Sequence, residues 1–241
     1  MNLTRIRRFV NASDDMPSRS GVRALLYARR LGILLLALIF MSYVPLRAAD
    51  QVVLVAYGDS LSAGFGLAEE DAFPAQLEKA LRARGHDVRV VNSSVSGDTT
   101  AAGLARFDWS FPEGAQGVIL ELGANDALRG LPPAQTRSNL DELITRIKGR
   151  GAEPLLAGML APRNLDATYT QAFDRIYPEL AEKHGILLYP FFLYDVAGKR
   201  DLNLPDGLHP NAAGIGKIVE QIVPKVEDLL TRIAARTAKT Q

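Results

Sequence analysis

From Asp50 onward short apolar runs alternate with amphipathic ones, and no other feature constrains the fold as tightly. The apolar runs cover residues 51–56, 88–91, 117–122, 153–157 and 186–189. The first is almost continuously apolar and rich in β-branched residues, which suits a strand covered on both faces of a parallel sheet. Between the runs lie amphipathic stretches at 72–83, 99–107, 136–148 and 169–183, and a closing one at 211–233. Phe73, Leu77 and Leu81 recur at four-residue spacing, as do Leu140, Leu143, Ile144 and Ile147 at three to four, so these stretches predict helices with one core face. Strands joined by crossover helices make an α/β domain. No internal repeat, interdomain linker or low-complexity tract divides residues 50–241, which are expected to form one domain.

Four short polar motifs punctuate this pattern. Gly58-Asp59-Ser60-Leu61 follows the first strand, Val95-Ser96-Gly97-Asp98-Thr99 the second, and Leu122-Gly123-Ala124-Asn125-Asp126 the third. The fourth, Pro205-Asp206-Gly207-Leu208-His209-Pro210, precedes the closing helix. Motifs that follow successive parallel strands converge on one rim of the sheet, where α/β proteins keep their ligand sites. Taken singly, Gly-Asp-Ser starts a loop or caps a helix, and Asp-Gly is an ordinary turn dipeptide.

Together the ordered blocks resemble the SGNH (GDSL) hydrolases: Gly-Asp-Ser-Leu, then Gly, then Gly-x-Asn-Asp, then Asp-x-x-His. The similarity runs from about Asp50 to the final helix. It includes Ser60-Leu61-Ser62-Ala63-Gly64, Ser96-Gly97-Asp98-Thr99, Asn125-Asp126-Ala127-Leu128-Arg129-Gly130, Ala152-Glu153-Pro154-Leu155-Leu156 and Tyr189-Pro190-Phe191-Phe192. The branch it resembles is the bacterial periplasmic thioesterase I group, with acyl-CoA thioesterase, lysophospholipase and arylesterase activities. The resemblance implies a three-layer α/β/α sandwich with a mostly parallel five-stranded sheet, flavodoxin-like in order. It also implies a serine esterase that acts on acyl esters and thioesters through an acyl-enzyme, with no cofactor and no metal.

Acyl transfer of this kind needs an activated nucleophile, a base and donors for the oxyanion. Ser60 is the candidate nucleophile. His209 is the candidate base, because imidazole titrates near neutral pH and only three histidines exist. His86 stands in a Gly-His-Asp turn and reads as a solvated loop residue, while His184 precedes Gly185 at a helix carboxyl end. His209 alone has an acid three residues before it, Asp206, and a proline after it that can open a helix. Asp206 would bond Nδ1 and leave Nε2 to face Ser60. The expected oxyanion donors are the Ser60 and Gly97 N–H groups and the Asn125 side-chain amide. Asp59 and Asp126 read as structural partners of backbone amides.

In the family branch the loop after the Asn block contacts the acyl chain and moves on binding. Here that loop is Ala127, Leu128, Arg129, Gly130, Leu131 and Pro132, stiffer where Ala124 and Ala127 replace glycines common in relatives. Leu104, Phe107, Trp109 and Phe111 are further candidates for an apolar wall, or for the core. A short-chain carbohydrate or aryl esterase is the alternative within catalysis. A secreted non-catalytic binding module of the same fold is the alternative outside it. An α/β-hydrolase is disfavoured, since no Gly-x-Ser-x-Gly occurs.

The amino-terminal segment differs in kind. Arg29-Arg30, an apolar stretch from Leu31 to Leu46, and Arg47-Ala48-Ala49 read as a secretory signal peptide over residues 1–49. The stretch is shorter than the ~20 residues of a spanning helix, so an uncleaved anchor is the minority reading. Arg47 disturbs the usual small residue before a cut after Ala49, and a cut after Ala48 is a second reading. The long basic leader is consistent with translation starting at Met16 in place of Met1. The expected location is therefore periplasmic or secreted. Residues 1–49 hold eight of 28 basic and two of 27 acidic residues, so the remainder carries 20 and 25 and a formal charge of −5. No basic stripe suggests nucleic acid, and no partner protein or stable membrane insertion after processing is implied. With no cysteine, disulfides, thiolate metal sites and a cysteine nucleophile are excluded.

Overall fold

The computed structural model describes residues 51–240, together with Arg23 and Arg29. The expected signal segment, 1–49, otherwise lies outside the described residues.

Five parallel strands form one sheet: β1 (Val52–Gly58), β2 (Val88–Asn92), β3 (Gly117–Glu121), β4 (Glu153–Ala157) and β5 (Leu187–Tyr189). Their order is β2-β1-β3-β4-β5. The chain moves from β1 outward to β2, then crosses back to β3 on the other side of β1. Loops leaving β1 and β3 therefore part at one crevice, the place where open parallel sheets bind ligands. The register brings Gly58 at the end of β1 opposite Glu121 at the end of β3.

Between the strands run α1 (Ser60–Ala63), α2 (Phe73–Ala83), α3 (Thr100–Ser110), α4 (Ala124–Leu128), α5 (Pro133–Gly149), α6 (Ala167–Asp174), α7 (Ile176–His184) and α8 (Ala212–Thr240). α2 packs against α8 on one face of the sheet, and α3, α5 and α7 pack together on the other. This is the expected three-layer α/β/α sandwich. The apolar stripes explain the layers: Phe73, Leu77 and Leu81 of α2 are fully buried, as are Leu140, Leu143, Ile144 and Ile147 of α5. Burying one such side chain contributes roughly 1.5–3 kcal/mol.

Two helices depart from the sequence reading. The single helix expected at 169–183 is broken at Arg175 into α6 and α7. Pro178 supplies the reason, because it lacks an N–H for the Asp174 carbonyl and its ring crowds that turn. The closing helix runs to Thr240, beyond the expected end near 233. Its apolar stripe stops at Ile233, but Ala, Arg and Lys carry the helix further by propensity. Pro224 within it is exposed, so the missing bond opens to water.

Candidate active site

β1 ends in Gly58, and Asp59 caps α1: its Oδ1 accepts the Leu61 N–H at 3.0 Å. This leaves Ser60 at the first position of a single helical turn, where its own N–H has no intrahelical acceptor. The Ser60 hydroxyl lies 2.9 Å from His209 Nε2.

His209 is presented by a tight loop rather than by a helix start. The Leu204 N–H bonds the His209 carbonyl at 2.7 Å, and Asn203 and Pro210 form an antiparallel bridge. Pro210 therefore does not open α8; Asn211 caps it, accepting the Gly214 N–H at 3.0 Å. Within this loop Asp206 Oδ1 accepts the backbone N–H groups of Leu208 and His209, at 2.9 and 3.0 Å. Those two bonds, and the His209 ring beyond them, hold the Asp206 carboxyl down at about 2. An ionised Asp206 Oδ2 stands 2.7 Å from His209 Nδ1. The carboxylate can only accept there, so Nδ1 carries the proton and the Nε2 lone pair faces the Ser60 hydroxyl. The other two histidines lie elsewhere: His86 bonds Glu227 at 3.1 Å, and His184 bonds Asp141 at 2.5 Å.

Gly97 occupies the third position of a turn closed by the Asp98 N–H on the Val95 carbonyl at 3.2 Å. Its φ of 85° is a left-handed value that favours glycine, and among the described residues no atom beyond its chain neighbours lies within 4 Å of a Cβ there. Conformation, not crowding, selects glycine. Asn125 lies in the first turn of α4, and its Nδ2 donates to Asp59 Oδ2 at 3.1 Å and to the Asp98 carbonyl at 2.9 Å. Both amide hydrogens are thus engaged, and they tie the motifs after β1, β2 and β3 to one another.

Arg106 on α3 braces the same assembly. Its buried guanidinium bonds Asp98 at 2.5 Å, the Ser93 carbonyl at 2.7 Å, the Gly58 carbonyl at 3.2 Å and the Ser110 hydroxyl at 3.1 Å. It also lies 4.1 Å over the Tyr57 ring. Asp126 is fully buried, accepting the Thr100 N–H at 2.8 Å and the hydroxyls of Thr100 and Thr136 at 2.5 and 3.0 Å. Both aspartates read as structural partners of amides, Asp59 and Asp126, do bond backbone N–H groups.

Glu121 escaped the sequence reading. It is wholly buried, with Oε2 accepting the Ser62 hydroxyl at 2.8 Å and the Asp59 N–H at 3.3 Å. Burial first, then the neighbouring Asp59 charge, push its carboxyl well upward. Among the described residues Oε1 has no partner, which a neutral acid tolerates far better than a carboxylate. Burial likewise raises Asp59 to about 6, against the opposing pull of the Leu61 and Asn125 hydrogen bonds. The available signal was an acid closing the apolar run Val118-Ile119-Leu120.

An apolar cavity of about 510 Å³ opens beside Ser60, Asn125 and His209. Ala127 and Leu128 line it, but the longer walls come from Met159, Leu160, Ala161, Pro162 and Arg163 after β4, and from Phe191, Leu193 and Ala197 after β5. Leu208 completes it. From the loop expected to contact substrate, Arg129 instead reaches the Gly97 carbonyl at 2.9 Å, and the Leu131 carbonyl accepts the Tyr169 hydroxyl at 2.9 Å. Gly130 and Pro132 are not among the lining residues. Phe107 and Phe111 are core residues that pack against Tyr57, Leu104 packs against the core, and Trp109 is exposed; none lines the cavity.

A serine hydroxyl bonded to an imidazole that a carboxylate orients, set at the carboxyl rim of a parallel sheet, is the arrangement of a serine hydrolase. Residues 56–215 match the GDSL-like Lipase/Acylhydrolase family. The chain is 40% identical over 210 residues to "Esterase TesA" of Pseudomonas aeruginosa, covering 87% of this chain and 100% of that one. It is 36% identical over 196 residues to "Thioesterase 1/protease 1/lysophospholipase L1" of Escherichia coli, covering 81% of this chain and 93% of that one. A crystal structure of TesA superposes with a TM-score of 0.70 at 40% identity, covering 74% of this chain and 99% of that chain. The protein belongs to the GDSL-like lipase/acylhydrolase family.

Proposed function

We propose that the protein cleaves medium- or long-chain acyl esters and thioesters, including lysophospholipid and acyl-CoA types, through an acyl-enzyme on Ser60. The observation that carries this reading is the Ser60–His209–Asp206 relay, at 2.9 and 2.7 Å, opening directly on an apolar cavity. In the first step Ser60 Oγ bonds the carbonyl carbon and its proton passes to His209 Nε2. Asp206 stays ionised and stabilises the imidazolium. The oxyanion would meet the Ser60 and Gly97 N–H groups and the Asn125 amide. Because both Asn125 hydrogens are engaged, one bond must yield, and that to Asp59, at 3.1 Å, is the longer. Collapse returns the proton from Nε2 to the departing alkoxide or thiolate. Water then repeats the sequence to free the acid.

The apolar walls favour hydrocarbon in the acyl site, since each buried methylene contributes about 0.8 kcal/mol. That weighs against a short-chain carbohydrate esterase, whose sugar alcohol presents polar surface, and leaves aryl esters within the reading. Periplasmic or secreted location is part of the same reading, supported by the signal-like residues 1–49. Among the described residues no helix is long and apolar enough to cross a membrane. A fluorophosphonate probe is expected to label Ser60, and octanoyl p-nitrophenyl ester is expected to outpace acetyl. No labelling would favour a non-catalytic binding module; marked preference for acetyl would favour the short-chain esterase.

A further inference from the structure

Phe65 is a large apolar side chain left 48% exposed, immediately after the turn that carries Ser60. Packing does not explain it, since a core residue would be covered. It does not line the acyl cavity either. What it does touch is His209: the ring centroids are 4.4 Å apart and the planes meet at 33°.

The local chain is built to deliver that contact. Gly64 ends α1 at φ 88°, and Gly66 follows at φ 72°. A Cβ at Gly64 would come within 2.5 Å of Ala72 Cβ, and one at Gly66 within 2.9 Å of Leu204 Cδ1. The Phe65 N–H bonds the Ser60 carbonyl at 3.3 Å, and the Leu67 N–H bonds the Gly64 carbonyl at 3.0 Å. Two left-handed residues thus bracket the aromatic and fold it back over the imidazole that Ser60 faces.

We infer that Phe65 is a positioning residue whose ring face holds the His209 imidazole in line with Ser60 and stabilises the imidazolium formed during acyl transfer. The inference rests on the Ser60–His209–Asp206 reading above. The chemistry is direct. When the Ser60 Oγ proton moves to Nε2, positive charge spreads over a ring already packed, at a tilt of 33°, against an electron-rich aromatic ring. The same face keeps water off one side of the imidazole until the proton leaves with the alkoxide or thiolate.

The test compares Phe65→Leu, Phe65→Tyr and Phe65→Ala with the wild type, by kcat and KM on octanoyl p-nitrophenyl ester and by fluorophosphonate labelling rate. Leu keeps apolar bulk without a π face; Tyr keeps the face. Expected are a fall of about 3- to 30-fold in kcat and labelling rate for Phe65→Leu, KM within about two-fold, and near wild-type values for Phe65→Tyr. If Phe65→Leu matches the wild type, or if KM rises while kcat holds, the inference is overturned. Should Phe65→Ala fail to fold, the Leu and Tyr variants still decide. Full activity in Ser60→Ala would instead remove the underlying reading, a distinct result.

Discussion

Ser60 stands between two unlike surroundings. One is a buried polar cluster in which Asp59, Glu121, Asn125, Asp98 and Arg106 bond one another and the strand ends. The other is a cavity of about 510 Å³ walled by Leu, Met, Ala, Pro and Phe side chains. Almost every polar group in the first is spoken for, so its geometry is over-determined. The second is walled mainly by apolar contact, with Asp174 tying the loop after β4 through the Ala161 N–H and the Arg163 guanidinium, and its shape rests chiefly on the loops after β4 and β5. The difference teaches that chemistry and selectivity are held by separate parts of the molecule. Changes to the polar cluster should act on turnover, and changes to the cavity on which acyl group is accepted.

The sharpest way to break that division is to remove the relay. Ser60→Ala and His209→Ala are each expected to lower kcat by at least about 10⁴-fold while circular dichroism and the melting transition persist. Retained turnover in either variant would end the assignment. Next comes Asn125→Ala, with an expected loss of about 10²–10³ in kcat and little change in KM. An unchanged kcat would take Asn125 out of the oxyanion role and leave it as a tie between motifs.

A smaller and more selective effect is expected from the apolar side. Leu160→Glu sets a charge at the cavity wall, so kcat/KM for the octanoyl ester should fall by roughly ten-fold and that for the acetyl ester by less than three-fold. Equal losses on both substrates would show that the two regions are not separate. The smallest effect is on stability. Burial raises Asp59 from 3.8 to about 6, so its protonated form is favoured by folding. That contribution is complete below 3.8 and is lost as pH rises through about 6. Asp59→Asn should therefore flatten the pH dependence of Tm between about pH 4 and 6, and an unaltered slope would show that another group sets it.

The same two regions differ in how far they could be read from the chain. Ser60, Gly97 and Asn125 follow recognisable strands, and in a parallel sheet the ends of neighbouring strands must share a rim. Asp206 and His209 are local to one another, so their pairing needed no tertiary information. The cavity was less legible: Met159 to Arg163 and Phe191 to Ala197 look like strand ends and core, and nothing local says which face a loop turns toward water. The expected loop supplied only Ala127 and Leu128, because Arg129 is drawn off to the Gly97 carbonyl. Glu121 was hidden for a related reason, since a buried acid makes sense only once Ser62 and Asp59 are seen around it. In the fold, Pro178 carried the signal for the break at Arg175, but the apolar spacing on either side masked it.

Arg106 has a consequence for anyone who would graft this chemistry onto another scaffold. Copying the groups around the reacting carbonyl would not be enough, since the peptides that aim them are held from the opposite side by one guanidinium from a distant helix. Lysine offers a point charge where a planar fork is needed. A successful transplant would have to carry the brace along with the blades.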